Sequence, residues 1–322
     1  MNVGLAFLIL GGALGTAALA AIAPVWTYAL SLLLFGLPHV IVELRYVDER
    51  FGARLPRTMM WWLMLGLGAI VALRLLALCG IGDTTVRVTT ELGCGAVLVA
   101  GTIPLLLAGR SALLAWLVLA ALVLGACFDA VTTLVTLAVL HNLTPVGFLA
   151  ERLRGAERRG ALLACAFVFG AVPTLLLTGV VPDLLPPLVP AEAAGPFGTG
   201  SLAAHLPAFV PPPLLGTTFA DRLFVCAAYL QCMHYAVVLH VLPRLAGGGE
   251  TRGATLAWPR GRTFVAAVVV LGAVFSLGFV NDFGGTRGVY SVFAALHAWL
   301  EIPVLTLACG LPPRFPTAAE AA

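Results

Sequence analysis

Histidine and glutamate recur at helical spacing inside stretches of this chain that are apolar and long enough to cross a membrane. His39 is followed four residues later by Glu43, and His297 by Glu301, so each pair lies on one face of a helix. Other such stretches hold three more histidines: His141, His234 and His240. An ionisable side chain in a bilayer costs at least about 2.5–3.5 kcal/mol. A metal ion bound by imidazole and carboxylate would offset that cost, and these ligands suit iron, zinc or manganese.

We predict that the metal site draws on several helices at one depth of the membrane. Its predicted ligands are His39, His141, His234, His240, His297 and Glu301. The spacing sets His240 apart, because six residues place it about 120° around the helix from His234. Glu43 and Glu301 are also the predicted catalytic carboxylates. Glu43 would orient His39, and Glu301 would bind the metal or accept a hydrogen bond from a ligand.

The same residue types also have a purely structural interpretation. A single membrane histidine is commonly a hydrogen-bond partner between helices, and this interpretation stays open for His240 and for His141. We expect His205 to be exposed in a loop, and Arg74 to extend its side chain towards the membrane surface. Some aromatic residues are candidates either for lining a substrate cavity or for packing: Trp61, Trp62, Tyr229, Tyr235, Phe293 and Trp299.

The overall composition excludes an ordinary soluble protein. Of the 322 residues, 61% are hydrophobic and 10% are charged, and the mean hydropathy is +1.03, whereas a soluble domain carries about 25% charged residues. The basic residues are all arginine and the net charge is only +3, without the basic stripe that nucleic-acid binding needs. The seven cysteines form no Cys-x-x-Cys pair, so we expect them to be packing residues.

Hydropathy predicts an all-α, polytopic membrane bundle of about ten transmembrane helices. The predicted spans are 3–22, 24–45, 59–79, 89–108, 111–126, 128–149, 160–181, 219–243, 263–281 and 289–310. They form a single domain over residues 1–322, with an extracytoplasmic loop at about 182–218 that holds a short helix near 202–209. The fifth and sixth spans form one apolar run, which we expect to fold as a tight hairpin near Gly125 and Asp129.

The distribution of arginine predicts the orientation of these spans. Arginine is concentrated in the loops after the second, sixth and eighth spans, which places those loops and both termini in the cytoplasm. The N-terminal stretch lacks a basic region, so we expect a first span and no cleaved signal peptide. The predicted location is therefore the inner membrane of a bacterium, crossed several times.

One motif resembles a known family. The run 36–39 reads Gly-Leu-Pro-His and is similar to the Gly-(Leu/Ile)-Pro-His motif of the Brp/Blh family, membrane-embedded carotenoid dioxygenases that split β-carotene into retinal. The order of the later histidines also resembles that family: one in a middle span, two in a later span and one near the end. The resemblance implies a non-haem iron held by histidines from several helices.

The chain departs from the family pattern at several positions. Val40 follows the first histidine where the family has glycine, and the next acid is Glu43. His234 and His240 are further apart than the paired histidines of the family, and Glu301 has no general counterpart there. The glutamates would also allow a site with two metal ions.

The leading hypothesis is therefore an enzyme, a metal-dependent oxygenase with one or two non-haem iron ions. Its expected partners are an apolar small molecule that enters from the lipid phase, O2 and membrane lipids, and the resemblance implies cleavage of a carotenoid to retinal. Zinc, manganese and haem are the other cofactors that the residues allow. The competing classes are a proton- or ion-coupled transporter and a membrane haem protein.

Overall fold

The computed structural model describes residues 3–52, 55–107, 111–245 and 254–308, and these contain no β-strand. Of these described residues, 84% are helical, in agreement with the predicted all-α class. The first eight helices are α1 (Val3–Ile22), α2 (Pro24–Phe51), α3 (Arg57–Leu78), α4 (Thr84–Ala100), α5 (Ile103–Leu106), α6 (Ser111–Phe128), α7 (Ala130–Leu140) and α8 (Thr144–Arg152). The later helices are α9 (Gly155–Ala166), α10 (Val172–Leu177), α11 (Val180–Leu184), α12 (Thr218–Ala236), α13 (Leu242–Leu245), α14 (Gly261–Asn281) and α15 (Phe283–Ala308).

Three short irregular segments join some of these helices without ending the helical path. A 3₁₀ turn at His141–Leu143 joins α7 to α8. Wider π-helical turns at Phe167–Ala171 and Val237–Val241 join α9 to α10 and α12 to α13. Non-standard helical turns of this kind often mark functional positions in a helix.

Within the described part of the chain, eight continuous helical segments are long and apolar enough to cross a membrane. They are Pro24–Phe51, Arg57–Leu78, Thr84–Leu106, Ala130–Arg152, Gly155–Leu177, Thr218–Leu245, Gly261–Asn281 and Phe283–Ala308. Two shorter apolar helices, Ile9–Ile22 and Ala112–Phe128, coincide with the first and fifth predicted spans. The protein is thus a multi-pass membrane bundle, while the count of about ten crossings stays a prediction.

The hairpin expected between the fifth and sixth spans is present. The helix α6 ends at Phe128, and Asp129 begins α7 by accepting a hydrogen bond from the backbone N–H of Thr132 at 3.0 Å. A side chain at Gly125 would collide with Thr133. Glycine therefore allows the two helices to approach closely beside the turn.

Three helices that carry most of the predicted site, α2, α12 and α15, lie in the interior of the bundle. Helix α2 packs against α1, α12, α14 and α15, and α15 also packs against α3 and α4. The apolar windows of the spans that contain α2 and α12 are each 61% buried, compared with 17% for α3 and 22% for α14. The peripheral helices expose large apolar side chains such as Leu65 and Trp61, which suits a surface that faces lipid.

The predicted extracytoplasmic loop folds back onto one end of the bundle. Instead of one short helix near 202–209 it contains two 3₁₀ turns, Leu202–Ala204 and Leu206–Ala208. Leu202 and Val210 are buried, and Phe209 packs edge-on against Tyr28 of α2 with ring centroids 5.2 Å apart. The loop therefore closes this end of the helical bundle.

A buried ion pair joins three of the helices. The guanidinium of Arg74 on α3 donates to Glu91 Oε1 on α4 at 2.7 Å, and Trp299 Nε1 on α15 donates to the same oxygen at 2.9 Å. The expectation that Arg74 extends towards the membrane surface stays a prediction, and the structure adds a counter-ion for it on the adjacent helix. The sequence did not single out Glu91.

We expect Glu91→Ala to destabilise the protein by about 2–3 kcal/mol, since it leaves Arg74 without its counter-ion. The value is below the roughly 3–5 kcal/mol for breaking a fully buried pair because the Arg74 side chain is 27% exposed. Thermal unfolding in detergent measures the effect. The control is Glu49→Ala, which removes the i,i+4 partner of Arg45 and should cost less than about 1 kcal/mol. Equal losses of stability in the two variants would contradict the assignment of Glu91 as the counter-ion of Arg74.

Candidate metal centre

Two helices each supply a histidine and a glutamate to one point in the interior. On α2, His39 directly follows Pro38, and Glu43 lies one turn further along. On α15, His297 and Glu301 have the same spacing and precede Pro303. His39, Glu43, His297 and Glu301 are each 2% exposed or less. The helical periodicity thus places four ionisable groups where water does not reach them.

Two further histidines reach the same point from positions where a helix changes its winding. His141 is the first residue of the 3₁₀ turn that joins α7 to α8, and Pro145 follows within the next turn. His234 lies near the end of α12, just before the π-helical turn Val237–Val241, and is 0% exposed. Irregular backbone at membrane depth is tolerated where it lies inside the protein or borders a cavity.

The rings of His39 and His297 face each other through their Nε2 atoms, an arrangement that a cation between them would stabilise. Their Nε2 atoms lie 3.3 Å apart, and each Nδ1 lies 3.0 Å from a backbone carbonyl oxygen, that of Phe35 or Phe293. A carbonyl oxygen only accepts hydrogen bonds, so each Nδ1 carries the hydrogen and donates it. In the neutral rings both Nε2 atoms then present lone pairs to each other.

His141 adds a third imidazole to this pair. Its Nε2 lies 3.0 Å from Nε2 of His297, and its Nδ1 lies 2.9 Å from Glu301 Oε2. The second contact is short but lacks hydrogen-bond geometry, so this Nδ1 has no hydrogen-bond partner. With its hydrogen on Nε2, His141 donates to Nε2 of His297, which leaves Nδ1 of His141 and the oxygens of Glu301 without hydrogen-bond partners.

His234 and Glu43 complete the cluster. Glu43 Oε2 lies 3.3 Å from His234 Nε2, again without forming a hydrogen bond. The ring of His234 lies 4.8 Å from that of His141 and 5.3 Å from that of His39, measured between centroids. Donor atoms within 4.8 Å of one another form two overlapping sets that share His297: His39, Glu43, His234 and His297, and His141, His297 and Glu301.

The unsatisfied atoms fit a metal ion. Both carboxylate oxygens of Glu43 and of Glu301, and both ring nitrogens of His234, are buried without a hydrogen-bond partner in the described part of the chain. Buried polar atoms normally have partners. Two imidazole nitrogens bound to one ion at about 2.1 Å with angles of about 90–109° lie about 3.0–3.4 Å apart. The observed separations of 3.0 and 3.3 Å agree with this geometry.

The charges of the cluster also favour a divalent cation. The carboxyl groups of Glu43 and Glu301 are close enough to interact with each other. Two adjacent carboxylates in a low-dielectric interior repel, and an uncompensated charge there is costly. Once both carboxyl groups are ionised among neutral imidazoles, they carry a charge of about −2, which one divalent ion would balance.

A cavity of about 590 Å³ extends from the cluster of histidine and glutamate side chains, which we call the His/Glu cluster, towards the end of the bundle that the loop closes. His39, His141 and His297 line its inner end, and Phe209 and Arg287 line its other end. Its volume lies within the range of about 300–1,000 Å³ that is typical of small-molecule sites. Three of the candidate ligands therefore line a space that is large enough for a small molecule.

Two tyrosines lie between the His/Glu cluster and the rest of this cavity. The ring of Tyr235 lies 4.0 Å from that of His39, measured between centroids. Its hydroxyl lies 3.3 Å from the hydroxyl of Tyr290. Both tyrosines line the cavity. Tyr235 packs against the His39 ring, and the two hydroxyl groups place polar atoms on the cavity wall.

The structure brings together five of the six predicted ligands, with Glu43 beside them. They are His39, His141, His234, His297 and Glu301. His240 is exposed in the π-helical turn and belongs to neither set of donor atoms. Its prediction as a ligand is not supported, because the side chain points out of the bundle, as its 120° offset from His234 indicates.

Other sequence expectations had mixed outcomes. His205 is 2% exposed, so its predicted exposure was wrong. Of the six aromatic candidates, Tyr235 and Trp299 line the cavity. Trp61, Trp62 and Phe293 are exposed on the outer surface of the bundle, and Tyr229 is buried and donates to the carbonyl of Val168 at 2.8 Å.

Arg287 and Tyr290 were not among the sequence candidates, although both line the cavity. Arg287 carried a detectable signal. In the predicted topology it lies at the outer end of the last span, on the side of the membrane where arginine is scarce. Tyr290 carried no such signal, since tyrosines near span ends are common anchors.

We expect the contribution of His205 to stability to fall as the pH is lowered. Burial and the neighbouring Arg287 lower the pKa of His205 from 6.5 to about 4, and its Nδ1 accepts a hydrogen bond from Arg287 at 3.0 Å. Between about pH 6.5 and 4 the unfolded chain binds a proton that the folded chain does not. The stability difference between the wild type and His205→Gln, measured by thermal unfolding, should therefore shrink from pH 7.5 to pH 5. A stability difference that stays constant over this pH range would contradict the lowered pKa of His205.

Comparisons with models of known protein families, with curated protein sequences and with solved structures find no match to this chain. The geometry of the cluster therefore carries the functional argument by itself.

Proposed function

We propose that this protein is a membrane-embedded, metal-dependent oxygenase that holds non-haem iron and acts on a lipid-soluble substrate. The observation that carries the proposal is the facing pair of Nε2 atoms of His39 and His297, 3.3 Å apart with both Nδ1 hydrogens committed to backbone carbonyls. A single proton would satisfy this pair alone. It would leave the buried oxygens of Glu43 and Glu301 and the nitrogens of His234 without partners. Metal binding by one ring nitrogen of His234 and by an oxygen of each glutamate would give each of these three side chains a partner.

Iron is the ion that would allow these ligands to support oxygen chemistry inside a membrane. Mixed imidazole and carboxylate ligands suit iron, zinc and manganese, and iron supplies oxygen activation when a coordination position stays open. A haem iron with two axial histidines would separate their nitrogens by about 4 Å, at about 2.0 Å each. The separations of 3.0 and 3.3 Å in the cluster favour direct ligation of the ion over a haem.

The residues around the cluster would bind and orient the reactants. The cavity would give an apolar molecule access to His39, His141 and His297, and Ala208 and Phe209 of the loop line it. Oxidative cleavage of a carbon–carbon double bond by O2 places one oxygen atom on each carbon, so both atoms and electrons balance without an added reductant. Cleavage of a carotenoid is the version of this reaction that the Gly-Leu-Pro-His motif supports.

Oxygen uptake tests the proposal directly. Protein purified in detergent and loaded with ferrous iron is incubated with β-carotene or with linoleate, and ¹⁸O2 is traced into the products. The wild type should incorporate oxygen, and His39→Ala should not. Protein that binds iron stoichiometrically but oxidises neither substrate would contradict the oxygenase while leaving the metal site in place. A folded protein that binds no metal but carries protons across vesicles would instead support the transporter class.

A further inference from the structure

The cavity contains two arginines in different electrostatic states. Arg74 is paired with Glu91 at 2.7 Å. Arg287, on α15, has no carboxylate within 4.0 Å among the described residues. Its guanidinium donates to His205 Nδ1 at 3.0 Å and interacts with the hydroxyl of Tyr28. One positive charge in the cavity is therefore not neutralised by the neighbouring side chains.

The neighbours of Arg287 are neutral because of their hydrogen bonding. Arginine only donates, so His205 must accept through an unprotonated Nδ1 and is a neutral imidazole. Protonation of His205 would place two cations 3.0 Å apart. A guanidinium that lines a cavity beside apolar and neutral groups is the usual receptor for a carboxylate or a phosphate.

Arg287 and the His/Glu cluster lie at opposite ends of the cavity, so a ligand that contacts both needs two chemically different ends. Arg287 and His297 lie ten residues apart on α15, which corresponds to about 15 Å along the helix. Both line the same cavity, and the wall between them includes Leu32, Tyr290 and Ala294. A ligand that reaches both points needs an anionic group at one end and a long apolar chain.

We infer that the cavity binds a long-chain amphiphile whose anionic headgroup contacts Arg287 and whose apolar chain extends to the histidine cluster. The inference rests on the proposed function for the identity of the reacting end, since it places the chain beside the metal ligands. Among the lipid-soluble substrates of the proposed function, it favours molecules with a carboxylate or phosphate at one end over pure hydrocarbons such as β-carotene. His205 and Tyr28 would hold the guanidinium in place for that headgroup.

Binding measurements on the full-length protein in detergent test this inference. The probes are palmitate, methyl palmitate and hexadecyl phosphate, titrated into protein treated with EDTA so that a bound metal cannot capture the anion. Palmitate or hexadecyl phosphate should bind wild-type protein roughly 10- to 100-fold more tightly than the ester, since a charge-assisted hydrogen bond distinguishes them. Comparison of the two anions identifies the preferred headgroup. Equal affinity for the acid, the phosphate and the ester would overturn the inference without any variant.

Variants locate the headgroup site. Arg287→Gln should lose the preference for the anions and keep affinity for the ester, while Arg287→Lys should retain most of the preference. The matched control is Arg222→Gln, near the start of α12, because Arg222 pairs loosely with Asp183 at 3.7 Å and does not line the cavity. An anion preference that survives Arg287→Gln would contradict the assignment.

The metal content of the same preparations separates the two proposals. Protein that binds iron but shows no anion preference retains the proposed function and refutes the amphiphile. Protein that shows an Arg287-dependent preference but binds no metal retains the headgroup site and refutes the oxygenase.

Discussion

Replacing His297 by alanine is expected to reduce metal affinity by at least about 100-fold. His297 is common to both sets of donor atoms, and its Nε2 lies 3.3 Å from that of His39 and 3.0 Å from that of His141. Loss of residues that only support a ligand already costs about 10- to 100-fold in affinity, so loss of a shared ligand should cost more. Metal content after desalting, measured by elemental analysis, gives the result.

The chain provides a matched control for this experiment. His240→Ala is the same substitution in an exposed histidine six residues beyond His234, and it should leave the metal content unchanged. If both variants keep the wild-type content, the cluster does not bind the ion. If both lose it, the loss reflects folding in the membrane and not ligation.

Replacing Glu43 by glutamine is expected to change stability in opposite directions with and without metal. Glu43 is 0% exposed, its oxygens have no hydrogen-bond partner among the described residues, and it lies beside Glu301. Without metal, the substitution removes a buried ionisable group whose charge is costly in the interior, so the protein should become more stable. With metal, it removes a negative ligand and should reduce affinity by about 10- to 100-fold.

Thermal unfolding in EDTA and in excess ferrous iron measures both effects. A ligand that binds only the folded state raises its stability, and the increase grows with the logarithm of the ligand concentration divided by Kd. Iron should therefore raise the unfolding temperature of the variant less than that of the wild type. Glu301→Gln should behave in the same way, whereas Glu49→Gln on the same helix as Glu43 should not. A variant destabilised equally in both conditions would show that Glu43 only packs the core.

Much of the His/Glu cluster was predictable from the sequence because helical geometry alone sets which residues of one helix share a face. The spacing of His39 and Glu43, and of His297 and Glu301, places each pair on one helix face without knowledge of the neighbouring helices. Hydropathy located the spans because a bilayer leaves few structural choices for the backbone. The same angular reasoning separated His240 from His234.

The rest of the site depends on contacts between distant segments, which periodicity does not encode. Glu91 neutralises Arg74 and accepts from Trp299, three residues on three different helices. His205 is buried because its loop folds back onto Tyr28 and Arg287. A loop rich in proline and glycine is compatible with exposure or burial, and only the tertiary structure decides between them.

The most direct test of the central claim is elemental analysis of the purified wild-type protein together with its optical absorption spectrum. The convergence of His39, His141, His234 and His297 on two buried glutamates predicts about one iron ion per chain and no haem Soret band. The ion should be lost in His297→Ala and kept in His240→Ala. A folded wild-type protein that retains no more iron, zinc or manganese than His297→Ala, even after exposure to these ions, would contradict the claim.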